Sequence, residues 1–529
     1  MQTGRRPSLK WLMDAVRRPE SIGWLFALLA AATLANVIFW QIANLGAPQV
    51  FGHDDAIIPL RVGDHIAEVR WPDTNWARAP LPDWVRYDQY NFSSYILAFF
   101  SFDLVSGLPA DRDLTLFSAL CWLAVIALAT WHAWRRLGRL GAAIVLCGVS
   151  VTPLLVQDSF YGRPESFLTL LTVLVFVLSA RNTWAPQLAA SAIAGVALAC
   201  KISFSPFVVV TLISPLLFRG RGGWKRSAVS VPVFLLGFAV GAPGAVLEPA
   251  AFLSGVAYLQ TQYSSLHWPF GSPEDGLLPQ VVHAATYYLA TLGVIGAGTI
   301  VTSLAALAFH ALKSGVARAE RMDRLHLLAF CAAAVATVII FSVQRTFIER
   351  NVSHAAPILW LAVGWAVTLA MQQGEGPLRS PWPRAGLLVV VLGGMATMAL
   401  LDQRMAHVIG SGSTHWSGRE YAETERRVAA EYPDVPMEAS VAWFERDFAS
   451  SVCSKLREVK GPVVLKVFTG GPLETFPRVD DPRAVLVASS RSAFEDLPLS
   501  TLQPYHSPHV AYYLLRPDAA QTAGSCGPF

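Results

Sequence analysis

The segment "IGWLFALLAAATLANVIFWQIAN", residues 22–44, is followed after five residues by "VFGHDDAIIPLR", residues 50–61. The first segment has no charged side chain and is as long as the roughly 20 residues that a helix needs to cross a bilayer. It is too long for the apolar core of a signal peptide, so we expect it to remain as a membrane anchor. The second segment places two adjacent carboxylates, Asp54 and Asp55, where that helix would emerge into water.

The composition of the whole chain also indicates a membrane protein. Of the 529 residues, 53% are hydrophobic and only 15% are charged, whereas a soluble domain carries about 25% charged residues. Seventeen Trp and a net charge of +4 suit a membrane protein anchored at the interface better than a nucleic-acid binder. The six Cys show no metal-ligand spacing. Cys453 and Cys526 lie in a polar C-terminal region and can pair if that region is extracytoplasmic.

The apolar runs predict a polytopic α-helical membrane protein with about eleven transmembrane helices. The candidate spans are 22–44, 114–134, 140–157, 166–180, 187–200, 204–218, 227–245, 281–310, 326–343, 355–371 and 385–401. The runs 187–200 and 204–218 are short and form either two spans or a re-entrant hairpin. Both alternatives return the chain to the same side, so the predicted topology does not depend on the choice.

The basic residues predict the orientation of these spans. They cluster in alternate connections, and the positive-inside rule makes that side cytoplasmic. The clusters are Arg5/Arg6/Lys10/Arg17/Arg18, Arg135/Arg136/Arg139, Arg219/Arg221/Lys225/Arg226, Lys313/Arg318/Arg321/Arg324 and Arg379/Arg384. The stretch 246–280, on the opposite side, contains no Lys or Arg. We therefore expect a cytoplasmic N-terminus and an extracytoplasmic C-terminal region.

Two regions on the outer side are expected to be folded. The first outer loop, 45–112, is longer than the roughly 15 residues beyond which connecting loops are usually functional or disordered, and its many Trp and Tyr argue against disorder. Residues 402–529 read as a small soluble α/β domain, with a capping box at Ser417 and Glu420 and three strand-like runs. We therefore divide the chain into a transmembrane domain, 1–401, and an extracytoplasmic domain, 402–529.

A few basic residues occur next to membrane ends on the otherwise cation-poor outer side. Arg163 lies in "QDSFYGRPESF", Lys201 in "LACKISFSP", and Arg345 and Arg350 in "QRTFIERNVSH". Each one can simply extend to lipid headgroups, as Lys and Arg near helix ends commonly do. Their joint occurrence on one side, together with an acid pair, instead favours a binding site for a lipid phosphate.

The acidic residues have structural and catalytic interpretations. Asp54 and Asp55 are compatible with a solvated turn or a helix N-cap, or with a base that takes a proton from a nucleophile at the membrane surface. Glu165 is a second candidate acid, or a salt-bridge partner of Arg163. Together with Asp158, these carboxylates also have the chemistry of a divalent-cation site.

The order of these motifs resembles the GT-C superfamily of integral-membrane glycosyltransferases. The resemblance rests on an N-terminal anchor, "GHDDA" at the start of a long outer loop, "YDQYNFSSY", "YGRPESF", "LACKISFSP" and "IERNVSHAAPIL", and covers the layout of roughly residues 20–370. More narrowly, the chain is similar to the protein O-mannosyltransferase and aminoarabinose-transferase type, which use polyprenyl-phosphate sugars. The fold that this resemblance implies is a GT-C-like bundle with a structured first outer loop.

The resemblance also implies roles for individual residues. In those families the first acid of the pair in the first outer loop is the catalytic base, which corresponds to Asp54, with Asp55 as its neighbour; here the second acid is Asp where Glu is more frequent. The basic residues that bind the carrier phosphate correspond to Lys201, Arg163 and Arg350, with Arg345 in the same stretch. The implied reaction is an inverting sugar transfer that requires no metal.

The implied partners are a polyprenyl-phosphate sugar donor and an envelope polysaccharide, lipid or protein as acceptor, at the outer face of the cell (inner) membrane. No nucleic acid is expected as a partner. Two other classes of protein remain open at this stage. A secondary transporter or lipid flippase would also contain intramembrane charges and helices broken by Gly or Pro. An envelope assembly protein or receptor would use the outer domain to bind a partner, with the spans as its scaffold.

Overall fold

The structure is a computed structural model, and α-helices make up most of it. It describes residues 19–45, 54–81, 86–181, 183–218, 222–265, 271–272, 274–312, 318–372, 381–411, 419–442, 445–469, 479–491, 497, 509–517 and 526. Seventeen α-helices lie within these residues: α1 Pro19–Leu45, α2 Asp54–Val69, α3 Ser93–Ser106, α4 Ala110–Ser150, α5 Pro153–Phe160, α6 Glu165–Ser179, α7 Trp184–Cys200, α8 Ser205–Phe218, α9 Gly223–Gly241, α10 Pro243–Leu247, α11 Pro249–Ser264, α12 Leu277–Leu312, α13 Arg318–Ser342, α14 Ala356–Gln372, α15 Pro381–Gly410, α16 Arg419–Glu431 and α17 Glu445–Glu458.

Six helices within the described ranges are long and apolar enough to cross a membrane. They are Gly23–Ala43, Ala110–Ser150, Leu277–Leu312, Met322–Ser342, Glu349–Gln372 and Pro383–Gly410. Four shorter apolar helices accompany them: Ser93–Ser106, Glu165–Ser179, Trp184–Cys200 and Ile202–Leu216. The predicted class, a polytopic α-helical membrane protein, is therefore confirmed. The last long helix, α15, continues to Gly410, beyond the end predicted at 401.

Glycine interrupts two of the long helices. Within α4, Gly138 has φ 75° and ψ −168°, a conformation that glycine adopts without the steric cost of a Cβ. The bend separates the two runs that were predicted as spans 114–134 and 140–157. In α12, Gly293 has φ 67° and ψ 163°, so this helix also consists of two helical parts. The apolar periodicity alone does not reveal such interruptions.

Helices α7 and α9 pack against each other through their backbones. A Cβ added to Gly195 would lie 2.2 Å from the carbonyl oxygen of Phe234, and one added to Gly237 would lie 2.1 Å from that of Ala192. Small residues that allow such close approach are typical of helix contacts in membranes, where van der Waals packing contributes much of the association energy. This contact holds the C-terminal end of α7, and therefore the residue that follows it, Lys201, in place.

The segment predicted as the first outer loop is folded over its described residues, 54–81 and 86–112, and a polar network ties it to α11. Arg78 donates to both carboxylate oxygens of Glu248 at 2.6 Å and to Asp73 at 2.9 Å. The Tyr90 hydroxyl also donates to Glu248, at 2.7 Å. Burial raises the pKa of Asp73, but hydrogen bonds from Arg78, the Asn75 backbone and the His65 side chain outweigh burial and bring the pKa below its usual value. The network thus joins segments about 170 residues apart in sequence.

The C-terminal region contains a four-stranded mixed sheet with strand order β1-β2-β4-β3. The strands are β1 Met437–Ala442, β2 Val463–Thr469, β3 Ala484–Arg491 and β4 His509–Leu515. The first two are parallel and are connected through α17, whereas β4 pairs antiparallel with both β2 and β3. Three strands match the apolar runs of the sequence, and β1 was not predicted. The α/β character of this region agrees with the expectation.

One helix covers each face of this sheet. Val510, Tyr512 and Leu514 of β4 cluster with residues of α16, and the alternate residues Ala511 and Tyr513 cluster with residues of α17. Alternation along a strand requires this division, since successive side chains point to opposite faces. The Cys453–Cys526 disulfide joins α17 to the C-terminal end of the chain. The pairing considered for these two cysteines is therefore present. Ser417 of the predicted capping box lies outside the described residues.

Candidate active site

Glu165 is the centre of a buried cluster of charged side chains. It is the first residue of α6, directly after the turn that contains Tyr161–Pro164. The Lys201 ammonium donates to Glu165 Oε1 at 2.5 Å, and Arg350 Nε lies 3.7 Å from the same oxygen. The side chains of Glu165, Lys201 and Arg350 are 1%, 6% and 10% exposed. The two predicted phosphate ligands thus share one carboxylate that is shielded from solvent.

The local backbone explains how Lys201 reaches this position. Helix α7 ends at Cys200, and Lys201 is extended, with φ −158° and ψ 133°. A 3-10 turn, Ile202–Phe204, follows before α8 begins. The short runs predicted as spans or a hairpin are therefore two helices that meet at Lys201. Because the chain turns there, the lysine side chain enters the helix bundle instead of extending to the headgroup region.

A second ion pair lies in the same region. Arg163 Nη2 is 3.8 Å from Asp158 Oδ1, and both side chains are buried, at 0% and 1% exposure. The guanidinium also stacks over the ring of Tyr161, with its carbon 4.3 Å from the ring centroid. Arg163 interacts electrostatically with Glu165 as well. The turn between α5 and α6 therefore brings Asp158 and Arg163 next to the Glu165 cluster.

Arg350 lies in a 3-10 turn, Glu349–Ala355, which directly precedes α14. Its neighbour Glu349 is also buried and interacts electrostatically with Asp158. With Glu349 included, three basic and three acidic side chains are buried together: Arg163, Lys201, Arg350, Asp158, Glu165 and Glu349. Sequence reasoning missed Glu349, although its position beside a candidate phosphate ligand was a usable signal.

This network leaves hydrogen-bonding capacity unused. Glu165 Oε2 is buried and accepts no hydrogen bond from any residue that the structure describes. Buried polar atoms are nearly always hydrogen-bonded in folded proteins, and an unpaired one often marks a functional site. Lys201 and Arg350 already contact the carboxylate of Glu165. A phosphate can replace that carboxylate as their partner while both cations stay out of water. We expect such an exchange to bind an anion in a site with no net charge of its own.

Of the remaining predicted site residues, Arg345 does not join this cluster. The Arg345 guanidinium pairs with Asp275 at 2.6 Å and donates to the Ser272 carbonyl oxygen at 3.1 Å. It therefore holds the connection before α12 rather than facing Glu165. Helix α2 begins at Asp54, but the side chains of Asp54 and Asp55 lie outside what the structure describes. Their distance from the cluster is therefore not given by the structure.

An apolar cavity of about 230 Å³ adjoins the turn that carries Arg350. It lies between α12, α13 and α14, and Val352 of that turn forms part of its wall. Its other lining residues include Thr152, Tyr287, Tyr288, Leu304, Val338 and Trp360. The side chain of Trp360 is fixed by a hydrogen bond from its indole nitrogen to Thr152 Oγ1 at 2.8 Å. A charged cluster and an apolar cavity thus occur side by side.

Metal binding receives no direct support from this arrangement. Among the described residues, no group of three or more His, Cys, Asp or Glu side chains is placed to hold a metal ion. The carboxylates of Asp158 and Glu165, which were candidates for a divalent site, instead lie next to Arg163 and Lys201. The cluster is therefore built from salt bridges.

Comparison with known structures identifies the fold. The chain is similar to ArnT from Cupriavidus metallidurans bound to undecaprenyl phosphate, with a TM-score of 0.50 and 16% identity over 92% of this chain and 98% of the ArnT chain. The Archaeoglobus fulgidus oligosaccharyltransferase in complex with Zn and sulfate gives a TM-score of 0.47 and 11% identity over 79% of this chain and 60% of its own, too weak a likeness to interpret the site. No protein-family model and no curated protein sequence matches the chain. The chain therefore has a fold similar to that of ArnT, the type of fold that the resemblance in the sequence predicted.

Proposed function

We propose that the protein is an integral-membrane glycosyltransferase that moves a sugar from a polyprenyl-phosphate donor to a cell-envelope acceptor at the extracytoplasmic face. The observation that carries this proposal is the buried Glu165–Lys201–Arg350 cluster beside an apolar cavity. A polyprenyl-phosphate sugar has the matching parts, an anionic phosphate and an apolar tail. The ArnT structure, which contains undecaprenyl phosphate, has a similar fold.

The carrier phosphate binds to Lys201 and Arg350, with Arg163 close by, and displaces Glu165 from them. When the bond between the sugar and the phosphate breaks, the phosphate gains almost one unit of negative charge. Fixed cations therefore stabilise the transition state more than the ground state, and only such differential binding accelerates a reaction. The isoprenoid tail occupies the apolar cavity between α12, α13 and α14.

Asp54 acts as the general base. It takes the proton of an acceptor hydroxyl while the oxygen attacks the anomeric carbon on the face opposite the phosphate. The new carbon–oxygen bond forms as the bond to the phosphate oxygen breaks, and the phosphate leaves with that electron pair. A single displacement of this kind inverts the configuration at the anomeric carbon. Positioned base catalysis contributes about 10²–10⁴-fold to the rate. Asp55 is the next residue in the sequence and is the alternative candidate for the base.

The experiment uses the purified full chain in lipid nanodiscs, with radiolabelled polyprenyl-phosphate sugars and an envelope extract. Wild-type protein should transfer label to an acceptor, and Lys201→Met should reduce the transfer because it removes a phosphate ligand. Arg345→Gln is the matched control, since it removes a cation outside the cluster and should leave transfer close to the wild-type level. Movement of a lipid-linked sugar between leaflets without covalent change would instead support a flippase and overturn the proposal.

A further inference from the structure

A cavity of about 490 Å³ lies at the opposite end of the bundle from Glu165. Its wall includes Phe176 and Ala180, at the C-terminal end of α6. Phe176 is eleven residues after Glu165, so the two lie roughly 16 Å apart along the helix. Its polar and aromatic lining includes Arg135, Arg136, Asp323, Arg324, Trp365 and Thr368. The cavity is thus separate from the candidate active site.

Its polar lining is mainly cationic. Three arginines and one carboxylate line the cavity, and the carboxylate, Asp323, pairs with Arg136 at 2.9 Å near the exposed rim. Arg324 is 5% exposed, stacks on the ring of Trp365, and donates to the His310 carbonyl oxygen at 3.4 Å. The positive-inside rule explains arginines in exposed loops on this side. It does not explain an arginine buried in a cavity wall.

A second, independent feature also indicates a ligand. Thr368 Oγ1 is buried in the wall and makes no hydrogen bond to any residue in the described part of the chain. The inner wall is apolar, with Phe176, Leu327 and Leu361. A ligand that fits this cavity has an anionic group with several hydrogen-bond acceptors, which contacts Arg324 and Thr368. It also has an apolar or neutral group, which contacts the apolar wall. The volume falls within the roughly 300–1,000 Å³ of small-molecule sites.

We infer that this cavity binds a phosphate group, presented either by an anionic lipid of the adjacent leaflet or by a soluble phosphate ester. The guanidinium fork matches the geometry of phosphate oxygens. Arg324 would supply the central contact, Arg135 the long-range attraction at the rim, and Thr368 a further donor. The inference is independent of the proposed reaction, because the site lies at the other end of α6, α13 and α14.

Native mass spectrometry of the full chain in a phosphate-free maltoside detergent tests the inference. Phosphatidylglycerol is the lipid probe, diacylglycerol with the same chains is its matched control without phosphate, and inorganic phosphate is the soluble probe. We expect retention of phosphatidylglycerol or of phosphate, but not of diacylglycerol. Arg324→Gln and Thr368→Val should each weaken that binding, Arg324→Gln by at least about ten-fold, because charge-assisted hydrogen bonds are the stronger class.

Arg226→Gln is the matched control for the loss of charge. Arg226 stacks on Trp184, at the first turn of α7, and does not line the cavity, so binding should remain at the wild-type level. Retention of the lipid alone assigns the lipid as the source, and retention of inorganic phosphate assigns a soluble ligand. Binding of neither probe would overturn the inference. So would binding that Thr368→Val and Arg324→Gln leave unchanged in folded protein.

Discussion

Removal of the Glu165 charge should destabilise the fold and strengthen carrier binding. At an effective dielectric constant of about 20, the attraction of Glu165 for Lys201 at 2.5 Å is about 7 kcal/mol, and for Arg350 at 3.7 Å about 4 kcal/mol. Desolvation offsets most of these gross values. Loss of one partner of a buried pair nevertheless costs about 3–5 kcal/mol, because it leaves the other charge uncompensated.

The two single substitutions should differ in stability. Glu165→Gln removes both attractions and leaves Lys201 and Arg350 near each other. Lys201→Met removes only the stronger one, because Arg350 still compensates Glu165. We therefore expect Glu165→Gln to be the more destabilising of the two, and the double variant to cost less than the sum of the singles, since paired sites are not additive. Thermal unfolding in detergent measures this.

Thermal unfolding can be followed through the four free cysteines in the described residues. Cys121, Cys147, Cys200 and Cys331 are all buried, so a thiol-reactive fluorescent dye labels them only as the protein opens. Equal melting temperatures for wild type and both single variants would refute the calculation, because they would mean that the 2.5 Å contact contributes no net stability.

The substitutions Glu165→Gln and Lys201→Met should change the affinity for the lipid carrier in opposite directions. Glu165 competes with a phosphate for Lys201, so Glu165→Gln should bind undecaprenyl phosphate more tightly than wild type, measured below its melting temperature. Lys201→Met should bind it about ten-fold or more weakly, as expected for one charge-assisted contact, and Lys201→Arg should restore part of the loss. Weaker binding of undecaprenyl phosphate by folded Glu165→Gln would refute the proposal that Glu165 occupies the phosphate site and competes with the phosphate.

Three further predictions concern other parts of the fold. The pKa of Asp73 in the folded protein lies below its ordinary value of 3.8. The ionised carboxylate therefore stabilises the fold fully above about pH 4, and this stabilisation is lost as the pH falls through the folded pKa. Asp73→Asn should abolish that part of the acid dependence of the melting temperature. Reduction of the Cys453–Cys526 disulfide, which closes a loop of 73 residues, should destabilise the C-terminal region by about 4 kcal/mol, and unchanged proteolysis of that region after reduction would contradict this. Gly195→Val should lower folded yield, because its Cβ would lie 2.2 Å from a backbone oxygen of α9, whereas Gly386→Val, with open space around it, should not.

The fold class was predictable because the bilayer restricts the sequence so strongly. Apolar runs of sufficient length and few charges leave little choice except transmembrane helices. The apolar runs that became β2, β3 and β4 were equally visible. The bends at Gly138 and Gly293 were not, because a glycine in an apolar run has no periodicity signal that separates a kink from a straight helix. β1 was missed because it is short and only partly buried.

The candidate site was only partly predictable. Position next to a membrane end selected Arg163, Lys201 and Arg350, and the structure places these three side chains in one buried region. Position in the sequence did not distinguish these three residues from Arg345, whose guanidinium pairs with Asp275 and not with Glu165. Whether a basic side chain in this stretch joins the cluster depends on the direction in which it points. That direction is determined by how α12 and α13 pack. Buried pairing, such as Lys201 with Glu165, likewise depends on tertiary contacts between distant segments.

The most direct test of the account compares wild-type protein with Asp54→Asn in sugar transfer from a polyprenyl-phosphate donor, with donor binding measured on the same samples. The substitution preserves size and removes the base, so transfer should fall by about 10²–10⁴-fold while donor affinity stays at the wild-type level. Equal transfer by folded Asp54→Asn would contradict the assignment of the base, and absence of transfer by wild-type protein with any donor would contradict the function itself.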